Sequence, residues 1–297
     1  MSSTVFILGA GASKQCGAPL MNDFLDKARD LVRENKVEDK KTQFSYFFNA
    51  ITKLQPVHSK AQLNLDNIES IFTTLEMANI LGKFPSIDKT EIPNLIKSLK
   101  DLIVITLEKS IIFPVNEGYI GAPEPYDSFA KLCQHLVNEV IPKQTLSIIS
   151  FNYDIAVDMA LYRNGLGPYY GFNVKERPND IPLLKLHGSL NWATQEGDNS
   201  IIPFHLRDYL STHYFIRPGS YECSIPIWSQ SKEYFNKSPQ LKVKNEPVIV
   251  PPSWSKVNIP KELYCVWEMA GKELGEAQYI FIIGYSLPDI DEFFKLL

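Results

Sequence analysis

The chain opens with a short apolar segment that stops at a glycine-rich turn. Residues 4–8 (TVFIL) are apolar or β-branched without a break, and residues 9–13 (GAGAS) follow at once. An apolar run of this length without alternation is typical of a strand buried on both faces of a parallel sheet. The start of the chain therefore predicts an α/β fold in which the first strand leads through a tight turn into a helix.

Four later segments have the same apolar, β-rich character as residues 4–8. They are residues 146–151, 183–186, 248–250 and 279–283. No tight hairpin signal bounds any of them, so crossover connections between parallel strands are favoured. We therefore predict a parallel sheet flanked by helices.

The chain between the first two of these strands has a helical pattern. Apolar residues recur at helical spacing in residues 24–32, 44–54, 68–81, 95–107 and 129–140. A further helix is predicted over residues 261–277, whereas residues 193–246 give no clear pattern. We predict a core formed by residues 1–20 and 143–297, with residues 21–142 as a large helical insertion after the first strand.

Composition argues against several classes of function. The 30 Lys and Arg residues and 34 Asp and Glu residues give a net charge of −4, which is not the basic footprint of a nucleic-acid-binding protein. No apolar run reaches the roughly 18 residues of a membrane span, and no signal peptide precedes the first strand. We therefore expect a cytoplasmic protein with no nucleic-acid or membrane partner. The cysteines are widely spaced, which favours reduced thiols and no metal site: Cys16, Cys133, Cys223 and Cys265.

Polar or glycine-bearing residues follow nearly every predicted strand. The five clusters are residues 9–13, 152–154, 187–189, 251–254 and 284–287. Ligands of open parallel sheets bind outside the carboxyl ends of the strands. We therefore predict that these clusters converge on one crevice.

The first cluster suits a phosphate group. Gly9 and Gly11 would let the backbone turn tightly and approach a phosphate closely, and the helix start from Ala12 to Lys14 would offer free N–H groups. Ser13 would add a hydroxyl. The match to the GxGxxG pattern is incomplete, because Lys14 stands where its last glycine would be. Close packing between strand and helix is the alternative role for these glycines.

Two further clusters contain candidates for binding and proton transfer. Asn152 and Asp154 lie two apart, so an extended backbone would point both to one side. The amide suits ribose hydroxyls or a water, and the carboxylate suits a carboxamide N–H or a nearby cation. An Asx turn or helix N-cap is the alternative. His187 directly follows a predicted strand, and histidine suits a general base because it titrates near pH 6.5. A purely structural histidine is the alternative.

Taken together, these segments resemble the sirtuin-like NAD-binding family, and most strongly its bacterial, zinc-free branch of antiphage defence NADases. The matching stretches are ILGAGAS (residues 7–13), FNYD (151–154), KLHGSLNW (185–192), VPPSW (250–254) and IGYSLPDID (283–291). They follow the family's order and span nearly the whole chain. The resemblance implies a Rossmann-like fold, with NAD as the substrate and no metal.

The resemblance also implies a role for each matching position. Asn152 would lie beside the nicotinamide ribose, and His187 would be the active-site histidine, which makes these the two implied catalytic residues. The turn at residues 9–13 would contact the pyrophosphate, and residues 284–286 would line the adenosine side. The implied cofactor-binding residues are Gly9, Ala10, Gly11, Ala12, Ser13, Pro19, Asp154, Gly188, Ser189, Gly284, Tyr285 and Ser286.

The resulting expectation is an NAD glycohydrolase that releases nicotinamide and ADP-ribose and acts in antiphage defence by depleting NAD. The zinc module, the loop arginine and the acyl-peptide groove of true sirtuins have no counterpart in the sequence, which argues against protein deacylation. The alternatives are a non-catalytic NAD or ADP-ribose sensor and an NAD-dependent deacylase. The apolar pattern of residues 293–297 favours an N-terminal fragment of a longer protein. The expected partners are NAD, further copies of the chain, and an activator or phage-derived trigger.

Overall fold

The computed structural model describes residues 3–37, 40–61, 64–84, 87–116, 119–139, 145–173, 175, 177–206, 242–250 and 260–286. In chain order its strands are β1 (Thr4–Leu8), β2 (Val115–Asn116), β3 (Tyr119–Ile120), β4 (Leu146–Ser150), β5 (Pro168–Tyr169), β6 (Ile181–Lys185), β7 (Gly188–Gln195), β8 (Ile201–Pro203), β9 (Val243–Ile249) and β10 (Tyr279–Ile283). Its helices are α1 (Ala10–Ser13), α2 (Phe24–Arg33), α3 (Lys41–Ala61), α4 (Ile68–Leu81), α5 (Ile92–Ser110), α6 (Tyr126–Asn138), α7 (Ala156–Arg163) and α8 (Lys261–Glu276), and a short 3-10 helix spans Lys14–Cys16.

A five-stranded parallel sheet forms the centre of the described structure. Its strand order is β10-β1-β4-β6-β5, and every pairing in it is parallel. Leu8 pairs with Ile283 on one side and with Ser150 on the other, so β10, β1 and β4 end at the same level. All five residues of β1 and of β4 are buried, as their apolar runs predict. The predicted Rossmann-like parallel sheet flanked by helices is confirmed.

The prediction of a parallel strand at residues 248–250 is wrong. Residues 248 and 249 end β9, which pairs antiparallel with β7 in a separate three-stranded sheet of order β8-β7-β9. Only two residues, Leu186 and His187, separate β6 from β7, and Gly188 of β7 lies opposite Ile249. The apolar run indicates that this segment is buried, and strands of parallel and of antiparallel sheets can both be buried. The run does not indicate the direction of the neighbouring strand.

Helices make up most of the chain between β1 and β4. α5 is buried along much of its length and packs against α2, α3 and α4. Asn67 caps α4 by accepting the N–H groups of Glu69 and Ser70 at 2.9 and 3.0 Å. Gly82, with a φ of 61°, ends the same helix, so the predicted bounds of residues 68–81 are confirmed. That this helical region is a separate subdomain stays a prediction.

β10 differs in burial from its neighbours in the sheet. Its five residues are 37% to 60% exposed, although the sequence is almost wholly apolar. The ring of Phe281 stacks on that of Phe6 at a centroid distance of 5.3 Å. β10 is therefore an edge of the parallel sheet with little cover on either face, which its apolar sequence does not predict.

Candidate functional site

A cavity of about 680 Å³ lies where β1, β4, β6 and β10 end. This volume falls in the range of roughly 300–1,000 Å³ that is typical of small-molecule sites. The described residues that line it are Ala10, Gly11, Leu20, Met21, Asn22, Asp23, Asn67, Glu69, Phe151, Asn152, His187, Gly284, Tyr285 and Ser286. The predicted convergence is confirmed for the clusters that follow these four strands. The cluster at residues 251–254 lies outside the described residues.

The glycines after β1 and β10 allow two turns to interlock. A side chain at Gly9 would approach the Gly284 carbonyl oxygen to 2.5 Å, and one at Gly284 would collide with the amide nitrogen of Ala12. Gly284 also has a φ of +63°, which favours glycine. Close packing therefore accounts for Gly9 and Gly284, and Gly284 also lines the cavity together with Ala10 and Gly11.

The amide groups of the first turn are partly occupied. Gly11 donates its N–H to the carbonyl oxygen of Gly284 at 2.8 Å, and Ala12 donates its N–H to that of Gly9 at 3.0 Å. The expectation that Ala12 offers a free N–H group is therefore wrong, because the tight turn that glycine permits also brings carbonyl acceptors within reach. Contact of this turn with a pyrophosphate stays a prediction.

The side-chain amide of Asn152 has a fixed orientation. Its Nδ2 donates to the carbonyl oxygen of Gly9 at 2.9 Å and to Oγ of Ser13 at 3.0 Å. A carbonyl oxygen can only accept, so Nδ2 must face Gly9 and the Oδ1 of Asn152 must point away from it. Asn152 is 7% exposed, and its Oδ1 accepts no hydrogen bond from the described residues but keeps some accessible surface. The cavity wall therefore presents an oriented acceptor at Asn152.

Asp154 lies behind this wall and does not line the cavity. Its Oδ2 accepts the hydroxyl of Ser13 at 2.8 Å, and its Oδ1 accepts the N–H of Ala156 at 2.9 Å. The second bond forms an Asx turn, the alternative that the sequence left open. Burial raises the pKa of the Asp154 carboxyl, and the nearby Lys185 opposes that shift. Asp154 thus supports Ser13 and, through it, Asn152.

Tyr126 is a site residue that sequence reasoning missed. Its hydroxyl lies 2.9 Å from Oγ of Ser13 and 3.4 Å from Nδ2 of Asn152, and the residue is 2% exposed. Burial, and next the charge of Asp154, raise the pKa of Tyr126 well above its ordinary value. Because Ser13 gives its own proton to Asp154, it accepts from Tyr126. The first residue of α6 therefore reaches under the site, and no local motif marks it.

His187 lies on the cavity wall among aromatic rings. Its ring centroid is 5.4 Å from that of Phe151, 6.4 Å from that of Tyr153 and 6.1 Å from that of Trp267. The side chain is almost completely buried, while the Trp267 indole donates to the carbonyl oxygen of Leu186 at 2.9 Å. The imidazole is therefore held by packing at the end of β6, on the same cavity as Asn152.

Other implied binding residues divide into two groups. Tyr285 and Ser286 line the cavity, and the Tyr285 ring stacks on Phe151 with centroids 4.0 Å apart. Gly188 and Ser189 instead begin β7, where Ser189 donates to Oδ1 of Asn191 at 2.6 Å. Neither of these two lines the cavity, and neither does Pro19, although the four residues that follow Pro19 do: Leu20, Met21, Asn22 and Asp23.

The helical region supplies a wall that the sequence did not predict. Asn67 and Glu69, at the start of α4, line the cavity beside the segment that follows Pro19. Asn67 donates from Nδ2 to Oδ1 of Asn22 at 3.4 Å, and Ile68 donates its N–H to the Met21 carbonyl oxygen at 3.4 Å. These bonds join α4 to the loop after β1, so the two elements form one side of the site.

A buried polar network lies below the site. Lys185 donates to Oδ2 of Asp158 at 3.0 Å and to the carbonyl oxygen of Asp154. Tyr170 donates to Oδ1 of Asp158 at 2.7 Å, and Asn191 donates to the Tyr170 hydroxyl at 3.0 Å. The network joins β6, α7 and β7 and holds the backbone that carries Asp154.

Comparisons with known proteins leave the family open. No protein-family model matches the chain, and no curated protein matches it as a relative. Within the described ranges, no three His, Cys, Asp or Glu side chains gather as a metal site requires, and none of the described helices has the length and apolarity to cross a membrane. Fold and cavity define the class: a Rossmann-like α/β protein with a ligand-sized cavity at the carboxyl ends of its parallel strands.

Proposed function

We propose that the chain is an NAD glycohydrolase that cleaves NAD⁺ to nicotinamide and ADP-ribose. The observation that carries the proposal is the fixed acceptor of Asn152 on a cavity whose wall also contains His187. An oriented acceptor and a buried imidazole on one ligand-sized cavity suit a reaction in which a water must be positioned and deprotonated. The motif resemblance supports NAD⁺ as the substrate and antiphage defence by NAD depletion as the setting.

The reaction needs little acid catalysis. The nicotinamide ring of NAD⁺ is cationic, so it leaves as a neutral molecule when the bond from its nitrogen to ribose C1′ breaks and its nitrogen keeps the electron pair. A water oxygen forms the new bond to C1′. Asn152 Oδ1 accepts a hydrogen from that water or from a ribose hydroxyl, and His187 takes the proton that the water loses before releasing it to solvent. Proton transfer of this kind contributes roughly 10²–10⁴-fold.

The test is product release from purified protein incubated with NAD⁺, with nicotinamide and ADP-ribose separated by chromatography. Asn152→Ala and His187→Ala should each lose most of the activity while keeping the wild-type circular dichroism spectrum. Matched controls are Asn94→Ala on α5 and His135→Ala on α6, two exposed positions that do not line the cavity and should keep full activity. Near-normal turnover in both site variants would contradict the proposal.

Other outcomes would identify the alternatives. Binding of NAD⁺ or ADP-ribose without release of nicotinamide would make the chain a sensor. Acyl loss from an acylated peptide that depends on NAD⁺ would make it a deacylase. Each of these results replaces hydrolysis as the function while keeping the same cavity.

A further inference from the structure

The hydroxyl of Ser13 is a meeting point of three polar groups beneath the cavity wall. Its Oγ lies 2.8 Å from Oδ2 of Asp154 and 2.9 Å from the Tyr126 hydroxyl. Nδ2 of Asn152 is the third partner, at 3.0 Å. Ser13 is 1% exposed, and a hydroxyl group has one hydrogen to donate and two lone pairs that accept. The three contacts therefore use the whole hydrogen-bonding capacity of this side chain.

The carboxylate of Asp154 sets the direction of these hydrogen bonds. An ionised carboxylate can only accept, so the one hydrogen of Ser13 points to Asp154 and both lone pairs of Ser13 remain for donors. The N–H of Ala156, which can only donate, holds the other carboxylate oxygen at 2.9 Å. Burial raises the pKa of Asp154, and the ammonium group of Lys185 opposes that shift in favour of the ionised form.

The same order of hydrogen bonds holds the side-chain amide of Asn152. One hydrogen on its Nδ2 is donated to the carbonyl oxygen of Gly9 at 2.9 Å, and the other to a lone pair of Ser13 at 3.0 Å. If the Ser13 hydrogen turned towards Asn152 instead, two buried donors would face each other, which is unfavourable. The amide therefore keeps both anchors only while Asp154 accepts the hydrogen of Ser13.

We propose that Asp154 is a positioning residue for NAD⁺ cleavage, which orients Asn152 through the Ser13 hydroxyl without touching the dinucleotide. Asn152 belongs to the described lining of the cavity, whereas Ser13 and Asp154 do not. The described contacts thus connect Asp154 to the cavity through Ser13 and then Asn152. The inference rests on the proposed function, because it takes Asn152 as the residue that orients the water or the ribose hydroxyl.

Two variants break this chain of hydrogen bonds at different points. Asp154→Asn keeps the shape of the side chain, but its amide nitrogen must face either the Ala156 N–H or the Ser13 hydroxyl. The first choice opposes two donors, and the second leaves the Ser13 hydrogen without its acceptor. Ser13→Ala removes the hydroxyl and leaves Asp154 in place. The matched control is Asp180→Asn, because Asp180 is also buried, accepts the N–H of Arg177 at 2.8 Å and does not line the cavity.

Steady-state cleavage of NAD⁺ distinguishes positioning from contact with the ligand. Asp154→Asn and Ser13→Ala should each lower kcat about tenfold, while KM and the inhibition constant of nicotinamide change less than about twofold. Asp180→Asn should keep the wild-type kcat. If Asp154 contacted the nicotinamide carboxamide directly, Asp154→Asn would weaken inhibition by nicotinamide, and that result would overturn the proposal.

A second measurement does not depend on cleavage. Nuclear magnetic resonance of protein with isotope-labelled asparagine follows the side-chain amide of Asn152, whose signal is identified by its absence from Asn152→Ala. In wild type its hydrogens should exchange slowly with solvent, because both are bonded in a nearly buried position. Exchange should be at least about tenfold faster in Ser13→Ala and in Asp154→Asn, but not in Asp180→Asn.

The outcomes separate the two proposals. Wild-type kcat and wild-type exchange in both Ser13→Ala and Asp154→Asn overturn the positioning role, while NAD⁺ cleavage by wild type leaves the proposed function standing. A lower kcat without faster exchange of the Asn152 amide also overturns the positioning role. Faster exchange in both variants without NAD⁺ cleavage by wild type overturns the hydrolase and supports the chain of hydrogen bonds. If Asp154→Asn does not fold, Ser13→Ala decides by the same two measurements.

Discussion

Asn152 donates its side-chain Nδ2 hydrogen to the carbonyl oxygen of Gly9 at 2.9 Å. The bond joins the residues that follow two neighbouring parallel strands, β4 and β1. Since Gly9 also packs against the turn at Gly284, three strand ends meet around one amide group. The position of the acceptor on the cavity wall is therefore set by the sheet and not by a flexible loop.

Asn152→Asp tests the orientation of this amide. The variant keeps the shape of the side chain, but it places a carboxylate oxygen against the Gly9 carbonyl in place of a donor. We expect a loss of about 1–3 kcal/mol in the free energy of unfolding, measured by urea denaturation, together with loss of NAD⁺ cleavage. Wild-type stability with full activity would mean that Asn152 does not make this bond in solution.

Tyr126→Phe tests whether the hydroxyl under the site positions Asn152. The change removes the group that lies 2.9 Å from Ser13 Oγ and keeps the ring, so we expect about 1 kcal/mol of lost stability. If Tyr126 acts through Ser13 and Asn152, kcat should fall about tenfold while KM changes little. Tyr162→Phe is the matched control, because Tyr162 is a half-buried tyrosine on α7 that does not line the cavity. Equal kcat values for Tyr126→Phe and Tyr162→Phe would show that the Tyr126 hydroxyl does not position Asn152.

The sequence predicts the bounds of β1 and β10 well because each strand is a continuous apolar run. Residues 4–8 and 279–283 match β1 and β10 without a shift. An apolar run does not indicate the direction of the neighbouring strand. For this reason the sequence wrongly predicts that residues 248–250 join the parallel sheet. An apolar run also does not show that a strand is covered on both faces, because the apolar residues of β10 are half-exposed.

The candidate site was predictable only where polar residues follow strands. Asn152, His187 and Tyr285 follow strand ends and do line the cavity. Tyr126 and Glu69 reach the site from helices distant in sequence, and only the packing of those helices against the sheet reveals them. Ser13 and Asp154 bond to each other behind the wall, and their contact with a ligand stays a prediction.

Gly284→Ala tests the interlocked turns. A methyl group there would collide with Ala12, and the φ of +63° strains any residue with a side chain, so we expect a loss of at least about 2 kcal/mol. Gly197→Ala separates the two effects, because Gly197 has a φ of +105° and an added methyl group there would meet nothing within 4 Å. Thermal unfolding of both variants measures the difference. Equal losses would show that backbone strain alone explains Gly284.

Lys185→Met tests the buried ion pair below the site. Lys185 and Asp158 are fully buried and 3.0 Å apart, so removal of the ammonium leaves the Asp158 carboxylate without its cation and the Asp154 carbonyl oxygen without its donor. Loss of one partner of a buried pair typically destabilises a protein by about 3–5 kcal/mol.

The double variant Lys185→Met with Asp158→Asn distinguishes charge from packing. It removes both charges and keeps a side chain that can still accept from Tyr170, which donates to Asp158 at 2.7 Å. We therefore expect the double variant to be more stable than Lys185→Met alone by at least about 1 kcal/mol, as measured by urea unfolding. The single variant Asp158→Asn completes the comparison. If the stability losses of Lys185→Met and Asp158→Asn simply add in the double variant, the two charges do not depend on each other. The network would then hold the Asp154 backbone through packing and neutral hydrogen bonds.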